Sequence, residues 1–543
     1  MIRHFSASLA LLLALPISAL AQEAVAPDIP ASGSTADHTK FEILQKDFAS
    51  GPEVTEACLT CHTEADNQVK HTTHWNWEYS HPTTEQLLGK RFVINSFCGN
   101  VPSNEPRCTS CHVGYGWDDM REDPPMADAA VDCLVCHDRS GQYTKYSNRA
   151  GAVPLDPVPD GAKTITGAAA WPVDLSEAAQ SVGMPGRDNC GNCHFYGGGG
   201  DNVKHGDLSS ALYEPSFEVD VHMSAVEDGG EGFVCATCHV SDQHAIAGSR
   251  YNTTPEDHPD MKPGERRDVA TCQSCHGEEP HPTTLMGLKL NDHTDRLACQ
   301  TCHIPEFARG GVATKTVWDW STAGQLRDGK PYHEEDFIQS DGQHLHTYMS
   351  QKGDFEWGED VVPFYSWFDG QVRYTDTNTK IDPNGVVSVN AVGGDPADPH
   401  ARIWPFKRMI GRQAYDSQLN EMVMTNVYGP TTDTALWTNF DWAKAIQAGM
   451  DYIGEEYSGE FGFVDTEMFW PTTHMVAPAE QALDCESCHA RDGRLNGLTG
   501  IYMPGATLPP AAKIGLLLVL AALAGVLIHA ALRIFGPKGN SHD

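Results

Sequence analysis

Eight times in this 543-residue chain two cysteines stand three apart with a histidine directly behind the second, and that repeat decides what the chain can fold into. The runs begin Cys58-Leu59-Thr60-Cys61-His62, then Cys108/Cys111/His112, Cys133/Cys136/His137 and Cys190/Cys193/His194. They continue with Cys235/Cys238/His239, Cys272/Cys275/His276, Cys299/Cys302/His303 and finally Cys485/Cys488/His489. C-x-x-C-H is the attachment signature of c-type haem: the thiols bond covalently to one porphyrin and the adjacent imidazole becomes the proximal iron ligand. Zinc sites place their histidines several residues from a cysteine pair and draw four ligands from two pairs. Eight covalently bound haem c groups are therefore the expected cofactors. Seven of the motifs fall within 246 residues, from Cys58 to His303. A stretch so loaded cannot also build a conventional core. The porphyrins must supply the apolar interior, wrapped by short helices and loops.

The remaining residues fit that expectation. Gly197 to Gly200 stand in a row, and proline recurs at 102, 106, 124, 125, 154, 157 and 159, signals that punctuate helices. From Ile304 to Asp484 no attachment motif occurs; aromatics such as Trp318, Trp357 and Trp367 are dense there. The turn run Asp382-Pro383-Asn384-Gly385 precedes the β-type run Val386 to Val389. The expected fold class is a multihaem cytochrome c, mainly α and irregular structure around a haem array. A mixed β-containing region between the seventh and eighth motifs and a C-terminal transmembrane helix complete it. The boundaries are 38–303 for haems 1–7, 304–484 for the mixed region, and 485–510 for haem 8 with a linker.

Sixteen of 17 cysteines are consumed by the motifs, leaving Cys98. Haem attachment takes place outside the cytoplasmic membrane, and both chain ends agree. Residues 1–21 carry Arg3, the apolar run Leu9 to Leu20 and a small-residue cleavage site ahead of Gln22, a signal-peptide pattern. An Ala/Pro/Ser-rich stretch, 22–37, is expected to be a flexible tether. At the other end, 513–536 is apolar enough and long enough to span a ~30 Å hydrocarbon layer. Arg533 and Lys538 mark its cytoplasmic side. The body is thus expected on the periplasmic side of the membrane. His529 within the helix is an intramembrane ionisable group, open to ligating a haem b, to contacting a quinone, or to reaching the cytoplasmic interface without either role.

The net charge of −36 excludes nucleic acid and anionic lipid surfaces as partners, since both need basic patches. It favours a basic redox partner, a small cytochrome, or a quinol-oxidising membrane protein. An anionic substrate would need a local positive patch.

A haem with histidine on both faces passes electrons; one with an open or weakly held sixth position can be catalytic. Beyond the motifs, His4, His529 and His542, 15 histidines remain for eight sites. Context favours His74 in a Trp-flanked run, His205 and His222 after the fourth motif, and His244 after the fifth. His281 and His293 between the sixth and seventh motifs, and His474 before the eighth, complete the set.

Around the second and third motifs the chain resembles the octahaem tetrathionate reductases. The likeness runs through Asn104–Trp117 and Cys133–Asp138, then Gly141, Tyr143 and Lys145. It continues in Val203–Asp207, Asp220–Ser224, Asn291–Thr294, Cys299–Pro305 and His474–Pro478; the C-terminal membrane helix departs from soluble members. The resemblance implies a periplasmic reductase in which one haem, here on Cys108 and Cys111, has His112 as proximal and Lys145 as distal ligand and is catalytic, fed by seven bis-His haems. It implies two-electron reduction of tetrathionate to thiosulfate. Arg107, Arg139 and Arg149 flank these motifs and suit sulfonate oxygens. Cys98 offers a thiolate for the S–S bond, and Asp138 and Tyr143 stand near as proton-handling groups. Two alternatives stay open. One is a nitrite- or hydroxylamine-converting multihaem enzyme, although the C-x-x-C-K form of some nitrite reductases does not occur here. The other is a non-catalytic electron conduit.

Overall fold

The computed structural model describes residues 35–94, 100–253, 270–503 and 510–536. The expected signal peptide, most of the tether, and Cys98 lie outside these residues.

Most motifs form, or lie in, a single helical turn. Leu134–His137, Arg187–His194, Cys235–Cys238, Cys272–His276, Cys299–His303 and Cys485–Cys488 are all short helices of this kind. The geometry follows from the spacing. Residues three and four apart share one helix face, so both thiols and the imidazole point to the same side. The first motif begins in the helix Gly51–Leu59, capped by Ser50, whose side chain accepts from the Glu53 amide. The second motif is an exception, built from turns.

The region after the seventh motif holds a ten-stranded sheet between Thr314 and Pro471. Its strands are β1 (Thr314–Asp319), β2 (His333–Glu334), β3 (Tyr348–Met349), β4 (Gly353–Gly358) and β5 (Phe364–Phe368). They continue as β6 (Val372–Tyr374), β7 (Val387–Val392), β8 (Arg402–Asp416), β9 (Glu421–Met422) and β10 (Phe461–Pro471). The spatial order is β6-β7-β10-β8-β1-β4-β3-β2, with β5 and β9 also paired to β8. The turn expected at Asp382–Gly385 closes through the Gly385 amide on the Asp382 carbonyl, and β7 follows it. The sheet is mixed: β7 runs parallel to β10, and β1 parallel to β8. Phe368, Trp404, Phe406, Met409, Val464 and Met468 are among the buried residues of its core.

This sheet is a platform for the motif-bearing half. Ala298 N–H and the Thr301 hydroxyl both donate to the Ile403 carbonyl, seating the seventh motif on β8. Buried Lys407 donates to the carbonyls of Val203 and Lys204 and to the Thr314 hydroxyl. Asn104, ahead of the second motif, accepts from the amides of Val427 and Tyr428 and donates to the Thr425 carbonyl. A fully buried amide must satisfy its polar atoms, so Asn104 fixes the second motif against the segment that follows β9.

The helix Pro510–Phe535 is separate in character, and Ala511–Phe535 is long and apolar enough by length and composition to cross a membrane.

Candidate functional site

Six motif histidines face a second histidine at one spacing. The pairs are His194 with His74, His137 with His244, and His276 with His222, their ring centres 6.2, 6.3 and 6.1 Å apart. His239 with His474, His303 with His281, and His489 with His293 follow at 6.3, 6.3 and 6.1 Å. Two imidazoles on opposite sides of one metal, each nitrogen about 2.0 Å from it, have centres roughly 6.2 Å apart. These residues therefore fit an iron between them. Burial holds His194 down to about 3 and lowers His74 below the usual imidazole range, which keeps both in the neutral, metal-binding form.

The attachment cysteines touch across motifs and give the sites an order. Cys272 is within hydrogen-bonding reach of Cys299, Cys190 of Cys235, Cys111 of Cys193, and Cys58 of Cys133. Cys302 lies in the field of Cys488, Cys238 in that of Cys275, and Cys190 in that of Cys136. The series thus runs from the eighth motif through the seventh, sixth and fifth to the fourth. There it branches to the second motif on one side and to the third and first on the other.

The second motif is different. The His112 ring sits among Trp75, Trp77 and Trp117, at 4.8, 5.4 and 4.8 Å between centres. Its Nε2 donates to the Trp75 carbonyl at 2.7 Å, and burial pushes its imidazole down to about 3. Among the described residues no histidine ring faces His112, nor His62 of the first motif, at the spacing of the six pairs. What reaches His112 is Lys145. Its Nζ donates to the His112 carbonyl at 2.5 Å and to the Gly114 carbonyl at 3.3 Å. It also lies 3.1 Å from Asp132 Oδ2, both side chains having 0% exposure. That contact is a charge pairing rather than an aligned hydrogen bond. Asp132 Oδ1 accepts from Tyr143 Oη at 2.8 Å, and Tyr143 Oη lies 3.0 Å from Tyr115 Oη. Burial and the neighbouring Asp132 carboxylate raise both phenols well above their usual range, so they remain protonated.

A cavity of about 130 Å³ opens beside this cluster, lined among others by Lys145, Tyr143, Asp138, Trp171 and Asp188. Asp138 accepts from the amides of Ser140, Gly141 and Tyr143, so it shapes the loop that delivers Tyr143 and Lys145. Arg139 pairs with Asp188 at 3.2 Å, at the edge of the same cavity. Arg107 lies over the Tyr428 and Trp437 rings and contributes positive field at Cys111. Arg149 stacks on Tyr146, 4.3 Å from the ring centre. His205 is half-buried; lost solvation and the nearby Lys204 and Arg250 hold it well below the usual range. His529 lies on the apolar C-terminal helix.

Two contributors escaped sequence reasoning. Asp132 stands directly before Cys133, yet nothing local marks it as the partner of Lys145. Lys90 lies over the Trp77 ring at 4.4 Å and places positive charge near His112, His74 and Cys111. Standing between Gly89 and Arg91 in the chain, Lys90 carries no signal of that role.

Comparison with known proteins places the chain among multihaem cytochromes. A solved structure titled as octaheme cytochrome c from Shewanella oneidensis is 38% identical, with a TM-score of 0.71, over 86% of this chain and 97% of that one. This chain belongs to the octahaem cytochromes c. A family model described as bacterial cytochrome c matches residues 315–492 of this cytochrome, which takes in the sheet and the eighth motif. An uncharacterised protein of Archaeoglobus fulgidus is 23% identical over 260 residues, 40% of this chain and 82% of its own length. The cytochrome binds haem c covalently and serves in multihaem redox chemistry, with redox partners to match.

Proposed function

We propose that this cytochrome is a periplasmic reductase carrying eight haem c groups, exported by residues 1–21 and anchored by the helix Pro510–Phe535. Its reaction is the two-electron cleavage of tetrathionate at the second motif. The central S–S bond breaks, two electrons enter, and two thiosulfate dianions leave with no proton consumed. Haem c supplies one-electron carriers and, where histidine does not hold the sixth position, a place for ligand exchange.

Six irons would be held by the facing pairs: His74/His194, His137/His244, His222/His276, His239/His474, His281/His303 and His293/His489. His62 would serve the first motif, with His205 as a proposed distal ligand for a site not yet paired. His112 and Lys145 would serve the second. That role requires His112 to turn Nε2 away from the Trp75 carbonyl, and Lys145 to release the carbonyls of His112 and Gly114.

The observation that carries the reading is Lys145. It is fully enclosed, reaches His112, and borders a cavity large enough for a small oxyanion. Asp132 offsets its charge when it is not engaged elsewhere. Lys90, Arg107 and Arg139 give this corner the positive field that an acidic protein needs to admit a dianion. The Tyr143 hydroxyl can turn to donate a hydrogen bond to a sulfonate oxygen. Cys98 remains the proposed thiol for the S–S bond.

Replacing Lys145 with Met tests this. Turnover of tetrathionate should fall by about 100-fold or more, as when one group acting on the reacting centre is removed, at an unchanged haem-to-protein ratio. Undiminished turnover overturns the reading. A conduit without catalysis is the second reading, favoured by the continuous series of neighbouring motif cysteines from the eighth motif to the second. It would leave tetrathionate unreduced by wild type and variant alike.

A further inference from the structure

Two sequence runs outside the second-motif site, Val203–Asp207 and His474–Pro478, meet at one carboxylate. Asp207 Oδ2 accepts from the Thr473 amide at 2.8 Å and from the His474 amide at 3.1 Å. The same oxygen lies 3.1 Å from His474 Nδ1, and the Asp207 side chain is only 2% exposed. A second aspartate secures the rest of the loop. Asp220 Oδ2 accepts from the amides of Met475 and Val476, while its Oδ1 accepts from those of His222 and Met223. The loops carrying His474 and His222 are thereby clamped to each other.

A carboxylate only accepts, so Nδ1 of His474 must be the donor. That leaves the lone pair on Nε2, the nitrogen available to a metal shared with the His239 ring 6.3 Å away. Other rings in the facing pairs have neutral acceptors. His137 Nδ1 meets the Gly183 carbonyl, and His239 Nδ1 the Ala247 carbonyl. His244 Nδ1 meets the Gln68 amide oxygen, and His281 Nδ1 that of Asn291. A buried carboxylate draws the ring proton more strongly than an amide oxygen does. The imidazole becomes a stronger donor, and a stronger donor favours oxidised over reduced iron.

We propose that Asp207 is a positioning residue that makes the iron held by His239 and His474 harder to reduce than a neutral acceptor would. The fifth motif then forms a low-potential link in the series. It divides the sixth, seventh and eighth motifs from the first four, because Cys235 is within hydrogen-bonding reach of Cys190 in the fourth motif and Cys238 lies in the field of Cys275 in the sixth. This rests on the reading that His239 and His474 share one iron.

The test uses the full-length, haem-loaded protein without tetrathionate, by potentiometric titration with optical and electron paramagnetic resonance detection. Asp207→Asn keeps the size and an acceptor oxygen but removes the charge. One haem should become easier to reduce, its reduced-to-oxidised ratio at fixed potential rising about tenfold, or about 59 mV for a one-electron couple. The low-spin count and haem-to-protein ratio should not change. Superimposable titrations overturn the proposal, as does a new high-spin signal in Asp207→Asn, which would mean that the carboxylate only props the ring. His474→Ala separates the two layers of argument. It should convert one low-spin haem to high spin, and failure to do so would refute the shared iron itself, a result distinct from an unmoved potential in Asp207→Asn.

Discussion

At the fourth motif His194 looks across 6.2 Å to a second imidazole, His74. At the second motif the same five-residue pattern leaves His112 among three tryptophans with a buried lysine at its carbonyl. The two sites are neighbours, since Cys111 touches Cys193. The difference lies in what the surrounding chain brings to each: a second imidazole in one, and a buried amine 3.1 Å from a buried carboxylate in the other. Paired imidazoles close both faces of a metal and leave electron transfer as the available chemistry. On the proposed reading, an amine with an alternative partner in Asp132 can leave the metal and return.

That contrast can be broken most severely at Asp132. Asp132→Asn keeps an acceptor for Tyr143 but leaves Lys145 without its buried counter-charge, which should cost about 3–5 kcal/mol. Thermal unfolding of the haem-loaded protein measures it. The low-spin spectrum of the paired sites should be unaltered, and a change there would show that the sites are not independent.

A smaller effect is expected at Gly151, which has φ of +81° and whose added Cβ would meet Gly114 O at 2.5 Å and Lys145 Nζ at 2.9 Å. Gly151→Ala should cost about 1–3 kcal/mol and displace Lys145. The expected readout is a lowered unfolding temperature together with a changed spectrum of the second-motif haem alone.

The smallest effect is at Arg139, whose partly exposed pair with Asp188 contributes at most about 1 kcal/mol. Arg139→Gln should leave unfolding nearly unmoved and raise KM for tetrathionate without a matching fall in kcat. A large loss of stability with unchanged KM would remove Arg139 from the substrate side of the comparison.

What could be read from the sequence was what is local. Attachment geometry is set within five residues, so each motif announces itself, and most of them form a helical turn. The β-type run after Asp382–Gly385 was equally local, and it is β7. Pairing is not local. His74 meets His194, and His239 meets His474 from beyond the whole sheet, so no spacing rule connects them. The ten-stranded sheet with parallel contacts between β1 and β8 likewise depends on long-range packing rather than on hairpin turns. Lys145 is indistinguishable from a surface lysine until Asp132, Gly114 and His112 close around it. Only resemblance singled it out beforehand.

On the proposed function, electrons stored in this cytochrome are delivered to tetrathionate. The most direct measurement mixes the fully reduced, full-length protein with tetrathionate under anaerobic conditions and follows haem oxidation and thiosulfate together. Two haems should be oxidised for every two thiosulfates formed, at a rate that collapses in Lys145→Met. A protein that stays reduced in the presence of tetrathionate would contradict it.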